Sequence, residues 1–299
     1  MPGWTDRSFD VQMPSIWDGT SPLPVILSIH GGGGNKAAAE KVTCPAGDTS
    51  NPSCLPSIAM ARGFVVVRPD GTGARPLRNL RTWNAGGGHD SLNCASGPAC
   101  AAGIDDIAYF KDLLDELGRI FPLDASRVFA TGLSNGGAMS HRLACELPDR
   151  IAAIAALGGT NQFAGGGGAC TTSVPVLQIH GTEDPCWTYA SSALSCLSSD
   201  GGIKIGVAES MEGWRMRNGC GSGPVEVAMP DTDPNDGTRS FRTTWNGCTA
   251  ALELIRVEGG GHTWPRGYQY FGTGRVGRVP QDFGSETIVE FFLAHPRSH

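Results

Sequence analysis

The chain alternates between short, uninterrupted apolar runs and longer segments in which apolar residues recur at helical spacing. Strands that are apolar along their whole length are typical of parallel sheets whose two faces are covered by helices. The order predicts an α/β fold with a mostly parallel central sheet and helices on both faces, preceded by an antiparallel strand at residues 8–14. The apolar runs cover residues 23–29, 63–68, 127–131, 151–157, 174–179 and 250–257, and the helical patterns cover residues 104–120, 137–147, 207–218 and 285–294.

Length and charge restrict the organisation and the partners of the chain. Its 299 residues could form one large domain or two, but no linker, charge run or internal repeat divides them. We therefore expect a single domain over residues 1–299. The net charge is −6 with acidic and basic residues interleaved, which argues against a nucleic-acid or membrane-surface partner. The apolar runs are too short to span a membrane. For the oligomeric state, we expect a monomer.

Ten cysteines are more than an ordinary cytosolic enzyme carries, and they form no C-x-x-C pair or Cys/His cluster that would bind zinc. Their even number predicts disulfides and a secreted protein, and one or two buried free thiols, such as Cys145, are the alternative. The first residues lack the features of a signal peptide, so we expect that a leader peptide has been removed. Proximity along the chain suggests the pairs Cys44–Cys54, Cys94–Cys100, Cys145–Cys170, Cys186–Cys196 and Cys220–Cys248.

The segment Gly132-Leu-Ser134-Asn-Gly136 matches the G-x-S-x-G pattern, and it stands between an apolar run and a helical pattern. A strand, a tight turn and a helix form the context in which this pattern exposes a nucleophilic serine. We expect glycine at both ends of the motif because a side chain there would collide with the sharply turned backbone. In a chain with 43 glycines the match could arise by chance, but its flanking segments favour the nucleophile.

A nucleophilic serine requires a base and an orienting acid, which follow it along the chain in the order Ser, Asp or Glu, His. Asp184 lies just after the run at 174–179 and is the candidate acid, with the neighbouring Glu183 as its rival. An Asx turn before proline is the structural alternative for Asp184. His262 follows three glycines after the last apolar run and is the candidate base. His30 and His180 end earlier strands, which favours packing or loop orientation, and the other histidines lie in a loop, in a helix or in the tail.

An oxyanion hole requires two N–H donors near the serine. The backbone N–H of Asn135, directly after the nucleophile, is the first candidate. The second is expected from the loop after the run at 23–29, where either Gly31 or Gly32 would let the backbone approach a substrate carbonyl closely. A flexible turn is the alternative for this glycine run. A serine, histidine and aspartate set needs neither a metal nor an organic cofactor.

Together these motifs resemble the secreted esterases of the α/β-hydrolase fold that are grouped as polyhydroxybutyrate depolymerase-like and feruloyl esterases. The resemblance implies that Ser134, Asp184 and His262 form a catalytic triad. It also implies that Cys220–Cys248 is a disulfide and that the loop of Trp83 and Asn84 lines the substrate cleft. The matching segments, in family order, are His30-Gly-Gly-Gly-Gly-Asn35, Arg81-Thr-Trp-Asn84, Gly103-Ile-Asp-Asp-Ile107, Ala130-Thr-Gly-Leu-Ser-Asn-Gly-Gly137, His180-Gly-Thr-Glu-Asp184, Asn218-Gly-Cys220 and Gly259-Gly-Gly-His-Thr-Trp-Pro265.

Aromatic residues near the expected site suggest the acyl group. Trp83, Trp187, Tyr189 and Trp264 would form walls that suit a flat phenolic acid. The first hypothesis is therefore a feruloyl esterase that acts on small or polymer-attached esters of plant polysaccharide. Polyester hydrolysis is the second, since relatives that act on solid polyester usually carry a separate binding domain. A non-catalytic binding protein and a sugar acyltransferase are further alternatives. Residues 266–280 could form a rim loop over the cleft or a plain surface excursion.

Overall fold

The computed structural model describes residues 3–73, 80–87, 94, 97–193 and 203–297. In this part of the chain the strands are β1 (Phe9–Gln12), β2 (Leu23–Ile29), β3 (Val65–Pro69), β4 (Leu123–Leu133), β5 (Ala153–Leu157), β6 (Val176–Gly181), β7 (Val225–Ala228), β8 (Arg239–Thr244) and β9 (Leu252–Glu258). The helices are α1 (Lys36–Lys41), α2 (Leu55–Ala61), α3 (Pro98–Ala101), α4 (Asp106–Ile120), α5 (Asn135–Glu146), α6 (Gln162–Gly165), α7 (Val207–Arg217), α8 (Thr273–Val276) and α9 (Ser285–Ala294). Among them, no helix has the length and apolar character needed to cross a membrane.

All nine strands belong to one sheet with the order β1-β3-β2-β4-β5-β6-β9-β8-β7. The six central strands, β3-β2-β4-β5-β6-β9, pair in parallel. At the edges, β1 pairs antiparallel with β3, β8 with β9, and β7 with β8. The mostly parallel sheet predicted from the apolar runs is confirmed. Because parallel strands present their carboxyl ends at the same edge, the loops after β2, β4, β5, β6 and β9 meet there.

The buried strands supply two cores, one on each face of the sheet. In β2, Val25 and Leu27 pack on the side of α4, α5 and α7, whereas Ile26 packs on the side of α2 and α9. This alternation explains why the run at 23–29 is apolar throughout, since both faces of the strand are covered. The burial of one such side chain contributes about 1.5–3 kcal/mol. Helices on both faces, as predicted from the sequence, are therefore confirmed.

The hairpin of β7 and β8 is the part of the sheet that the sequence did not predict. Every residue of β7 is exposed, with Val225 and Val227 at 51% and 59% exposure. In β8 the sequence is mostly polar, and Ser240 and Thr243 are its buried residues. An edge strand that contributes little to a core has no continuous apolar run, so the pattern that identifies the parallel strands cannot detect it.

Disulfides connect the loops and helix ends as the spacing suggested. Four of the five expected pairs are present, and the alternative of a free thiol at Cys145 is wrong. In the fifth pair Cys186 is disulfide-bonded, while Cys196 lies outside the described residues. The four pairs are Cys44–Cys54, Cys94–Cys100, Cys145–Cys170 and Cys220–Cys248.

Two glycines allow the turn after β4 to lie directly against the end of β2. A Cβ atom added to Gly132 would lie 2.4 Å from the carbonyl oxygen of Ile29, and one added to Gly136 would lie 2.2 Å from the same oxygen. Carbon and oxygen atoms cannot approach this closely, and the oxygen belongs to the backbone of a central strand. The collision expected from the G-x-S-x-G pattern is therefore confirmed.

We expect Gly136→Ala to lower the free energy of unfolding by about 2 kcal/mol or more, because β2 would have to move to admit the methyl group. The matched control is Gly118→Ala on the exposed side of α4, where an added Cβ would meet no atom within 4 Å. That variant should be stabilised by about 0.5–1 kcal/mol, since alanine favours the helix. Urea denaturation measures both changes, and equal effects would contradict the close approach of β4 and β2.

Candidate active site

Ser134 occupies the tight turn between β4 and α5 in a strained backbone conformation. Its φ and ψ are 63° and −124°, a combination that costs a non-glycine residue about 1–3 kcal/mol. The turn is held from both sides, because Ser134 donates its N–H to the carbonyl of Leu157 at 2.8 Å and Ala138 donates to the carbonyl of Ser134 at 2.9 Å. The side chain is half-buried at the carboxyl edge of the sheet. The serine is thus placed where the loops after five parallel strands meet.

Asp184 follows β6 and makes a hydrogen bond with His262, which follows β9. The distance between Asp184 Oδ2 and His262 Nδ1 is 2.7 Å, and both side chains are almost completely buried. The other oxygen, Oδ1, accepts the N–H groups of Cys186 and Trp187, each at 2.8 Å. The Asx turn and the orienting contact therefore coexist, one on each carboxylate oxygen. The rival Glu183 is exposed and pairs with Arg278 at 3.2 Å.

The ionisation of Asp184 is balanced by opposing effects. Burial alone would raise its pKa, but the positive charge that His262 can carry and the hydrogen bonds to both oxygens hold the pKa below its usual value. The carboxylate is therefore charged at neutral pH. A charged, immobilised carboxylate beside Nδ1 keeps the imidazole proton on that atom and leaves Nε2 able to accept a proton.

The imidazole of His262 lies beside the serine turn. A Cβ added to Gly158 would lie 3.0 Å from His262 Nδ1, and Gly158 directly follows Leu157, the acceptor of the Ser134 N–H. Tyr270 donates its hydroxyl to the carbonyl of His262 at 2.7 Å, which fixes the loop. Ser134 Oγ and His262 Nε2, both in the described part of the chain, make no hydrogen bond with each other. Such contacts commonly tighten only when substrate binds.

Two of the three expected oxyanion donors are in contact with the serine turn. A Cβ added to Gly31 would lie 3.1 Å from the carbonyl oxygen of Leu133 and 3.4 Å from Ser134 Cβ. Asn135 is the first residue of α5, so its N–H belongs to the helix N-terminus that faces the reacting centre. Gly32 is one residue further along the same loop and is half-buried. Gly31 thus lies against the serine turn, and the assignment of the second donor to Gly31 or Gly32 stays a prediction.

The expectation that tryptophans wall the cleft needs correction. Trp83 and Trp187 are completely buried, and Trp264 is 1% exposed. Each indole N–H donates to an internal acceptor: Trp83 to the carbonyl of His30, Trp187 to Thr160 Oγ1 and Trp264 to Ser285 Oγ. A buried indole satisfies its N–H inside the protein, and this draws the ring away from solvent. These residues therefore support the loops that carry the site and present no face to a substrate.

Asn84 and Tyr189 have different environments from the tryptophans. The Asn84 side chain donates to the carbonyl of Ile104 at 2.8 Å, and its N–H donates to Asp106 Oδ2 at 2.6 Å. Asn84 therefore fixes its own loop instead of projecting freely into a cleft. Tyr189 is half-buried and packs edge-on against the ring of His180, with 5.9 Å between centroids. Of the four aromatic residues proposed from the sequence, Tyr189 alone keeps a partly exposed ring.

A chain of buried hydrogen bonds behind Asp184 was not predicted from the sequence. Trp214 donates to His141 Nδ1 at 3.0 Å, so the proton of His141 is on Nε2, 2.9 Å from Gln178 Oε1. The amide nitrogen of Gln178 then lies 3.3 Å from His180 Nδ1. His180 consequently carries its proton on Nε2, which is 2.7 Å from the carbonyl of Trp187. No motif signals this network, because His141 and Trp214 are far in sequence from each other and from Gln178 and His180.

Burial keeps these histidines neutral. It lowers the pKa of His141 to about 4 and also lowers the pKa of His180, although His180 Nε2 lies 3.5 Å from Asp184 Oδ2. The sequence assigned His180 to packing or loop orientation and placed His141 on a helix, and the burial of His180 agrees with the first assignment. Because the ring of His180 is neutral, the negative charge of Asp184 is available to stabilise a positive charge on His262.

The side chains of Asp184, Cys186 and His262 lie close enough to be considered as metal ligands. Cys186 is disulfide-bonded, so it offers no thiolate. Asp184 and His262 are already joined by their hydrogen bond. The donor set of this group therefore does not fit a metal ion.

Known proteins resemble this chain in sequence. A model of the Phospholipase/Carboxylesterase family matches residues 99–196, which include the serine turn. The probable feruloyl esterase C of Aspergillus niger is 26% identical over 96% of this chain and 84% of that protein. The chain is thus similar in sequence to carboxylesterases and to a probable feruloyl esterase. The putative esterase NocK of Nocardia uniformis subsp. tsuyamanensis is 31% identical over 63% of this chain, which spans 57% of that protein.

The fold of this α/β-hydrolase is shared with a solved structure, the acetyl xylan esterase from Aspergillus awamori. The two have a TM-score of 0.57 over 96% of this chain and 94% of the other, with 14% sequence identity. At this identity the likeness concerns the fold alone. The α/β-hydrolase fold implied by the sequence motifs is thereby confirmed.

The different environments of Asp184 and Glu183 predict opposite results for two neighbouring substitutions. Asp184→Asn should lower kcat for a nitrophenyl ester by about 10⁴-fold, because the amide can stabilise neither the correct tautomer nor the charged imidazole. Glu183→Gln, which removes an exposed ion pair, should leave kcat within about twofold of the wild type. Circular dichroism controls for folding. Comparable losses in both variants would exclude Asp184 as the orienting acid.

The buried His141 predicts a fall in stability with acidity. Its pKa is about 4 in the folded protein and 6.5 in a model peptide, so between these values the unfolded chain binds more protons. Stability is therefore lost as the pH decreases through this range, by about 2 kcal/mol from pH 7 to pH 5 for this residue. In His141→Gln the free energy of unfolding, measured with urea at both pH values, should vary less. If the free energy of unfolding changed between pH 7 and pH 5 by the same amount in His141→Gln and in the wild type, the neutral, buried state of His141 would be contradicted.

Proposed function

We propose that this chain is a secreted serine esterase that releases hydroxycinnamic acids, ferulate above all, from esters of plant cell-wall polysaccharides. The observation that carries the chemistry is the buried pair of Asp184 and His262 beside the strained turn of Ser134. The substrate class is supported by the feruloyl esterase of Aspergillus niger, which aligns over most of both chains. Secretion is supported by the four disulfides, since such bonds persist in oxidising compartments.

In the proposed mechanism, Ser134 Oγ attacks the ester carbonyl while His262 Nε2 takes its proton. Asp184 stabilises the imidazolium that forms, and the N–H groups of Asn135 and Gly31 stabilise the negative charge on the carbonyl oxygen. His262 then donates the proton to the leaving alcohol, which leaves an acyl group on Ser134. A water molecule that His262 deprotonates attacks this acyl-enzyme and releases the acid.

The acyl preference has weaker support from the residues than the reaction type. With Trp83, Trp187 and Trp264 buried, the aromatic walls that favoured a phenolic acid are absent. Tyr189 remains as a partly exposed aromatic near the site. The choice of hydroxycinnamoyl esters therefore depends mainly on the sequence relatives, and hydroxyalkanoate esters are the alternative acyl group for the same catalytic residues.

The purified, oxidised protein should hydrolyse methyl ferulate, and Ser134→Ala should lower kcat by at least about 10⁴-fold because the nucleophile is lost. The matched control is Ser140→Ala in the same helix, where the hydroxyl only donates to the carbonyl of Gly136 at 2.9 Å. That variant should keep most of the activity. Ferulate release is followed by liquid chromatography, and a serine-directed phosphonate should label the wild type and not Ser134→Ala.

The same assay separates the acyl group from the reaction type. Hydrolysis of a nitrophenyl ester with no ferulate release, together with 3-hydroxybutyrate release from oligomers, would reject the hydroxycinnamoyl substrate and retain the three catalytic residues. Equal activity of Ser134→Ala and the wild type would reject the serine mechanism itself.

A further inference from the structure

A cavity of about 510 Å³ lies between segment 267–281 and the loop that leads into β8. A volume of this size is in the range of small-molecule sites. The polar and aromatic side chains in its lining are Asp236, Tyr268, Gln269, Thr273, Arg278 and Gln281. We call it the 267–281 cavity. None of these residues takes part in the proposed ester hydrolysis.

Hydrogen bonds connect the 267–281 cavity to the loop of the catalytic histidine. His262 donates its N–H to the carbonyl of Val276 at 2.6 Å, and Gly261 donates to the carbonyl of Arg278 at 3.0 Å. Arg278 also pairs with Glu183, the residue before Asp184. The segment that lines the cavity is therefore bonded to the loops that hold both partners of Ser134.

The sheet topology places the cavity at the same edge as the serine. Asp236 lies just before β8, and the first residue of β8, Arg239, is opposite Glu258 at the carboxyl end of β9. The loop of Asp236 thus meets segment 267–281 where the loops after the parallel strands converge. A molecule in the cavity would approach the catalytic groups from the side of β9 and β8.

The side chains of the cavity leave hydrogen-bonding groups for a ligand. The amide nitrogens of Gln269 and Gln281 donate to backbone carbonyls, which fixes both side chains. Their Oε1 atoms and the Tyr268 hydroxyl have no partner among the residues that the structure describes. The lining therefore offers immobilised acceptors, a hydroxyl and an aromatic ring, and the ring of Tyr268 is half-buried with Lys41 Nζ 4.8 Å from its centroid.

This set of groups fits a neutral sugar better than the acyl part of the substrate. A sugar ring has C–H groups that can pack on an aromatic side chain and a rim of hydroxyls that both donate and accept hydrogen bonds. A flat phenolic acid would need a mainly apolar pocket. An anionic sugar is disfavoured, because Arg278 is paired with Glu183 and the carboxylate of Asp236 lies in the lining.

We infer that the 267–281 cavity is a saccharide subsite that holds a neutral sugar ring on the alcohol side of the ester. The inference rests on the proposed function for its role in hydrolysis, since it assigns the polysaccharide part of that substrate. The binding of the sugar itself requires no ester chemistry. Binding and hydrolysis can therefore be tested separately.

The first test is calorimetric titration of the Ser134→Ala protein with xylotetraose, a neutral oligosaccharide. We expect saturable binding that becomes about tenfold weaker when Tyr268→Ala is added, because the ring that the sugar packs against is removed. The matched control is Phe271→Ala, an aromatic residue of the same segment that is 42% exposed and outside the cavity lining. It should not change the affinity. Absence of binding, or equal losses in both variants, would overturn the saccharide subsite.

The second test compares kcat/KM for a feruloylated xylo-oligosaccharide with kcat/KM for methyl ferulate. Tyr268→Ala should lower the ratio of the two values about tenfold, mainly through KM for the oligosaccharide ester, and Phe271→Ala should leave the ratio unchanged. An unchanged ratio in Tyr268→Ala would overturn the placement on the alcohol side. If the wild type hydrolyses neither ester, the proposed function fails, and the titration alone decides whether the cavity binds sugar.

Discussion

The contact between the turn after β4 and the end of β2 is the constraint on which the site depends. The carbonyl of Ile29 occupies the space that a Cβ at Gly132 or Gly136 would require, so the two backbones touch directly. This contact brings Ser134 beside the loop that begins at His30, which contains the proposed oxyanion donor Gly31. The strained φ of Ser134 persists because hydrogen bonds on both sides of the turn fix it. A single backbone contact thus determines the position of the proposed nucleophile and of the groups that would receive the developing charge.

The charge behind Ser134 depends on how the carboxylate of Asp184 divides its two oxygens between backbone N–H groups and His262. Asp184 gives one oxygen to two backbone N–H groups and the other to His262, so its orientation does not depend on the imidazole alone. The nearby His180 is kept neutral by burial, which lowers its pKa although Asp184 and the hydrogen bond to the carbonyl of Trp187 favour the charged form. Two histidines can therefore surround the carboxylate while one of them carries the proton that catalysis needs.

Sequence reasoning succeeded where a residue's position along a strand determines its place in the fold. The parallel strands were visible because both of their faces are buried, and Ser134, Asp184 and His262 each follow such a strand, which brings them to one edge of the sheet. It failed where the direction of a side chain decides the outcome. Trp264 lies two residues after His262 in sequence, and Trp83 lies in the loop that the motifs placed at the cleft, but both indoles turn into the core to satisfy the N–H. The exposed β7 and the 267–281 cavity escaped detection because neither leaves a periodic apolar pattern.

The side chain of Asn135 clamps the backbone of Trp83 from both directions, accepting its N–H at 2.7 Å and donating to its carbonyl at 3.0 Å. The residue that follows the nucleophile is therefore also the anchor of the loop at 81–85, and the two cannot shift independently. Any remodelling of the loop at 81–85 therefore disturbs the turn of Ser134, whereas segment 267–281 is tied to the loop of His262 by backbone hydrogen bonds and by the hydroxyl of Tyr270. In enzymes built this way, substrate choice can therefore diverge more freely in segment 267–281, where side chains other than Tyr270 can be exchanged without moving the turn of Ser134.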